Sequence, residues 1–145
     1  MCFKMDDIEV VARRVYPYIL KWLGKAEVVG YYRKAEPEEI EKIMILPDAE
    51  FNGKMSGLVL SKALFKLMEG DGDVLSFDEQ SIYDKYGFGI YISDKVDAKK
   101  AMVHELVHLA GYYWHNIFFN EYPFQDYAIK CGVENYLMKK FKNYF

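Results

Sequence analysis

The chain has 145 residues, 52% of them hydrophobic and 17% aromatic, with a net charge of −3 and a pI near 5.6. That length is enough for one domain with its own core, so residues 1–145 read as a single domain, and the apolar share excludes a disordered or low-complexity class. Basic residues are scattered rather than massed on one element, which argues against a nucleic-acid partner, and Cys2 and Cys131 make neither a disulfide framework nor a thiolate metal site.

In chain order, the opening stretch MCFKMDDIEVVARRVYPYILKWLG puts acids and arginines where a signal peptide would need an apolar run. No apolar run approaches the ~20 residues of a membrane span, so the expectation is a cytoplasmic protein with no membrane partner. Ile8, Val11, Val15, Tyr18, Ile19 and Leu23 recur at helical spacing and predict a helix over 6–23, stopped at Gly24. Residues 26–33 are rich in β-branched and aromatic types. The stretch EPEEIEKIMILPD suggests a short helix that gives way to a strand at Ile43–Leu46 before Pro47. Leu58, Leu60, Leu64, Phe65 and Leu67 predict a helix over 57–70, and DVLSF a short strand after it.

Signals sharpen from residue 86. In YGFGIYIS, Phe88, Ile90 and Ile92 alternate with Gly87, Gly89 and Tyr91, which is strand periodicity. A helix over 95–110 follows, with Ser93, Asp94 or Asp97 to cap its start and Gly111 to end it. A last helix over 122–143 carries Phe124, Tyr127, Ala128, Cys131, Met138 and Phe141 as a stripe, and Glu134 falls inside that stripe.

The pattern HELVH at 104–108 holds two of the chain's three histidines. On a helix, positions four apart stand one above the other, so His104 and His108 can both aim a ring nitrogen at one ion about 2.0–2.1 Å away. Met102, Leu106, Leu109 and Tyr113 fall on another flank and give the helix a side to bury. Glu105 projects beside the metal without being needed as a ligand, in position to handle a water's proton. The competing structural reading is a helix whose histidines are hydrogen-bonded core residues. Catalytic zinc usually has three protein ligands, and the candidates for the third are Glu134, Asp126, His115 and Glu121. Glu134 is favoured because a carboxylate within an apolar stripe is costly unless it is neutralised, paired or bound to a cation.

HELVH, followed about 25 residues later by a helix with VENYL, resembles the gluzincin clan of zinc metallopeptidases, especially its small single-domain minigluzincins. The resemblance covers about 86–145. It implies an α+β, zincin-like fold: a small mixed or antiparallel sheet, an active-site helix with His104, Glu105 and His108, and a C-terminal glutamate helix with Glu134 as third zinc ligand. It further implies that the strand Gly87–Ser93 lines the substrate cleft. Some small members are latent, with part of their own chain in the cleft. The chain lacks the NExxSD continuation of thermolysin-like enzymes, which leaves the third ligand open.

An exposed strand edge can take up an extended peptide, and Gly87 and Gly89 would allow close backbone approach there. The expected function is therefore hydrolysis of a peptide or protein substrate by a zinc-activated water, with Zn2+ as cofactor and Glu105 as general base. Tyr136, Tyr127, Tyr112 and His115 are candidates for oxyanion stabilisation. Two alternatives are a zinc-binding regulatory or partner-binding protein with little turnover, and a DNA-associated protease. The intact Glu105 argues against the first, the acidic balance against the second. Oligomeric state is not legible.

Overall fold

A computed structural model describes residues 5–25, 28–29, 36–53, 55–62, 76–111, 118–119 and 134–145. Their elements are α1 (Met5–Lys25), β1 (Val28–Val29), β2 (Ile43–Leu46), a 3-10 turn at Asp48–Phe51, β3 (Gly57–Leu60), α2 (Phe77–Tyr86), β4 (Gly89–Ser93), α3 (Ala98–Leu109) and β5 (Phe118–Phe119). Helical residues 134–140 and a 3-10 turn at Lys142–Tyr144 close the chain. The class is α+β, built on a three-stranded mixed sheet.

Strand order in that sheet is β2-β4-β3, with β2 parallel and β3 antiparallel to β4. Side-chain alternation splits the sheet's two faces between two cores. Ile43, Val59, Ile90 and Ile92 face a core shared with α1, α3 and Leu137, while Leu46, Leu58, Leu60 and Tyr91 face a second core with Phe51 and Ile82. Every residue of β4 is buried, because both faces are covered and both edges are paired. β1 and β5 form a separate antiparallel ribbon.

Of the apolar stripe predicted for α1, Ile8, Val11, Val15, Ile19 and Leu23 are buried, whereas Tyr18 is 42% exposed and Ala12, Tyr16 and Trp22 complete the buried face instead. Arg13 ties the helix to the approach of β2 by donating to the carbonyls of Ile40 and Glu41. The C-terminal turn also lies on α1, where Tyr18 stacks on Tyr144 with ring centroids 4.0 Å apart.

Several expectations are corrected. Residues 36–42 form no helix before β2. Residues 57–60 are a strand rather than the start of a helix: Leu58 and Leu60 point to one core and Val59 to the other, a period of two that pairing with β4 stabilises. Ser76 and Phe77 begin a helix rather than end a strand. Ser76 caps α2 reciprocally, since Glu79 N donates to Ser76 Oγ and Ser76 N to Glu79 Oε1, both at 3.2 Å. Gly87 belongs to the end of α2, with φ of 79°, and not to the strand. Most importantly, β4 is the central strand, so it has no free edge for a substrate; the outer strand beside the cleft is β3.

Candidate active site

α3 begins where Asp97 accepts hydrogen bonds from the amides of Lys99 and Lys100 at 3.1 and 3.2 Å, filling two of the donors a helix start leaves open. It ends at Leu109, beyond which Gly111 turns away with φ of 103°. Burial of Met102, Val103, Leu106 and Val107 fixes the rotation of the helix about its axis. Each fully buried aliphatic side chain contributes roughly 1.5–3 kcal/mol, so this orientation is strongly held. The opposite flank, one helical turn at a time, carries Lys100, His104 and His108.

His104 and His108 meet edge to face, with ring centroids 4.7 Å apart and their Nε2 atoms 3.0 Å apart. From 30 residues downstream, Glu134 brings its carboxylate to His104 Nδ1 in a short, charge-assisted hydrogen bond. This bond raises the His104 pKa, against the effect of burial, and the neighbouring Glu105 and Glu134 charges add to the rise. On Glu134 itself burial pulls the carboxyl upward, but the His104 hydrogen bond and the charges of His104 and Lys100 bring it below the ordinary carboxylate value.

Glu105, the next residue, lies against the outer strand at Gly57 and is only 6% exposed. Burial is the main reason its carboxyl is pushed up to about 7; the Glu134 charge adds to the shift and the His104 charge opposes it. That is the range in which a carboxylate can both take and return a proton near neutrality.

These side chains share a cleft of about 520 Å³ that His104, Glu105 and Glu134 line together. Its facing wall is the lead-in to β3, at Ser56 and Gly57. Met55, Val96 and Ala101 make an apolar side, and Lys100 is the cationic side chain among the described lining residues.

How well this set fits zinc can be judged from the donors. Two ligands about 2.0–2.1 Å from a tetrahedral ion stand about 3.3 Å from one another. The two Nε2 atoms at 3.0 Å are within a few tenths of an ångström of that spacing. The Glu134 carboxylate accepts from His104 Nδ1, so in the neutral ring Nε2 is the nitrogen left with a lone pair, on the side of His108, which is the tautomer a metal needs. The histidine pair therefore fits. Glu134 as it stands bonds the far nitrogen of the ring, and among the described residues no three or more His, Cys, Asp or Glu side chains converge on one point as a metal-holding group.

His104, Glu105, His108 and Glu134 are thus brought together, whereas His115, Glu121 and Asp126 lie outside the described residues. So do Tyr112 and Tyr127. Tyr136 is not a cleft residue: it is 2% exposed and packs on Trp22 with ring centroids 5.3 Å apart. Sequence reasoning missed the β3 wall, because Gly57 and Glu105 are 48 positions apart and no local pattern joins them. Among the described residues no helix is long and apolar enough to cross a membrane. No family model matches the chain, and neither the curated proteins nor the solved structures contain a match to it.

Proposed function

We propose that this protein is a zinc-dependent peptidase of zincin-like architecture, with the ion held by His104 and His108 and with Glu134 as the third protein ligand. The observation that carries the proposal is a facing histidine pair, one member of which, His104, is bonded to Glu134 and lines one cleft with it and with the buried Glu105. When bound, the ion supplies Lewis-acid polarisation of a carbonyl and acidifies a water.

The remaining work falls to the chain's own residues. An extended peptide lies along the outer edge of β3, where main-chain hydrogen bonds hold it and set its direction. Met55, Val96 and Ala101 receive an apolar side chain and exclude water on that side. Glu105 takes a proton from the attacking water and returns it to the leaving nitrogen, a shuttle that its elevated pKa suits. Glu134 accepts from His104 Nδ1 and so orients that imidazole; as the third ligand it would bond the ion instead.

The test is Glu105→Gln on the zinc-loaded full chain. It keeps the shape of the side chain and removes the basic oxygen. Zinc content should stay the same, while cleavage of a denatured polypeptide falls by about 100-fold or more, the scale of a lost general base. Undiminished cleavage by Glu105→Gln would refute the mechanism. A zinc-loaded wild type, full-length or trimmed at either end, that cleaves nothing in a broad peptide library would overturn the peptidase proposal in favour of partner binding.

A further inference from the structure

Among the described glycines, Gly57 is distinguished by what it faces. It lies in β3 opposite Ile92 of β4, and its backbone is outside the left-handed region, so nothing in its conformation calls for glycine. What calls for glycine is space. A Cβ at this position would lie 3.0 Å from Glu105 Oε1, 3.3 Å from Glu105 Cγ and 3.2 Å from the Tyr91 carbonyl oxygen, where ordinary contacts begin at 3.4 Å. Two of those three atoms belong to one side chain, the buried glutamate of the cleft. Gly87, by contrast, would meet nothing within 4 Å, and Gly89 would meet Lys42 and the Tyr91 hydroxyl, neither of which lines the cleft.

We infer that Gly57 is a positioning residue for Glu105: the bare backbone of the outer strand is the surface against which the glutamate side chain rests, and it sets where the carboxylate sits relative to His104. The inference rests on the proposed role of Glu105 as the proton shuttle. Glu105 is buried under β3 and also lines the cleft, so a carboxylate displaced by a methyl at 57 can move into that space and shift relative to His104. A methyl at 57 has an allowed backbone but no room. Either the carboxylate moves by a few tenths of an ångström or the β3–β4 pairing does. A general base must lie within hydrogen-bond reach of the proton it takes, and a misplacement of about 1 Å can cost about 100-fold in rate. Where the carboxylate is what yields, the strand edge and the apolar wall that hold bound peptide stay in place.

The experiment combines Gly57→Ala with Glu105→Ala in the full chain, measuring zinc content, kcat, KM and Tm of both single variants and the double variant. Gly57→Ala should keep its zinc, keep KM within about 3-fold and lose about 10- to 100-fold in kcat. Its Tm should fall by a few degrees, and at least half of that fall should vanish in the Glu105→Ala background, where Oε1 and Cγ are gone and only the Tyr91 contact remains. Should Gly57→Ala fail to fold alone, a folded double variant would show the same coupling in stronger form. An equal Tm loss in both backgrounds, a kcat within 2-fold of wild type, loss of zinc from Gly57→Ala, or unfolding of both variants would overturn the inference. If wild type has no turnover but the Tm coupling is present, the contact stands and the peptidase proposal is what fails.

Discussion

Removing the charge of Glu105 should change how stability depends on pH. Its carboxyl titrates near 7 in the folded chain against an ordinary value of 4.5, chiefly because it is buried. A folded-state pKa above the unfolded one means that the folded chain holds the proton more tightly. The group's stabilising contribution is therefore complete below about pH 4.5 and is lost as pH rises through about 7. That displacement corresponds to about 3 kcal/mol, which in a domain of this size is roughly 6–12 °C in Tm. Glu105→Gln is neutral at every pH and escapes the loss. Thermal unfolding of chelator-treated wild type and Glu105→Gln, followed by circular dichroism from pH 4 to 8.5, reads the effect as a difference in which groups not coupled to Glu105 cancel and its coupling to His104 and Glu134 is retained. The variant should gain on wild type steadily from pH 4.5 upward and level off above pH 8. Parallel curves across that range would show that Glu105 is not desolvated in the folded chain, and would remove the basis for treating it as a proton carrier at neutral pH.

Purified without chelator, the protein should hold one zinc per chain by elemental analysis, and a double substitution of His104 and His108 by alanine should abolish it; unchanged zinc in that variant would end the metal proposal. Glu134→Ala should lower zinc affinity sharply in a chelator competition. Glu134→Gln tells the two possible roles of Glu134 apart: as a ligand the neutral amide should lose most of the affinity, whereas an amide oxygen still accepting from His104 Nδ1 would confine the loss to about 10-fold. Asp97→Ala, which strips the cap from α3, should cost about 1 kcal/mol in denaturant unfolding with the fold retained, and no change would show that the cap contacts are not formed in solution.

Local pattern was enough for some parts of this structure and silent on others. Spacing of Ile8, Val11, Val15 and Ile19 located α1, and Asp97 and Gly111 bracketed α3, because a helix's buried stripe and caps are written within a few residues of each other. Residues 57–60 were misleading for a physical reason. Leu58 and Leu60 fit the start of the 3.6-residue pattern that runs on through Leu64, Phe65 and Leu67, and only pairing with β4, where their partners are Tyr91 and Gly89, decides for a strand. Ser76-x-x-Glu79 is a capping box, a local signal that marks the start of α2. The apolar run Gly-Ile-Tyr-Ile also carried information. With no polar residue on either side it describes a strand buried on both faces, and hence a central one.

The same division holds at the site, where the histidine pair and Glu105 are a matter of helix geometry and follow from five consecutive residues. What gives those residues their chemistry is non-local: Glu134 arrives from a different element to fix a ring nitrogen, and β3 arrives from the front half of the chain to close over Glu105. A carboxylate shifted to about 7 can form only where both of those distant segments have packed, since the shift arises from burial first and from the Glu134 charge after it. The front part of the chain therefore contributes to the burial that raises this carboxyl, and in a truncated 86–145 fragment Glu105 should lie nearer the ordinary carboxylate value.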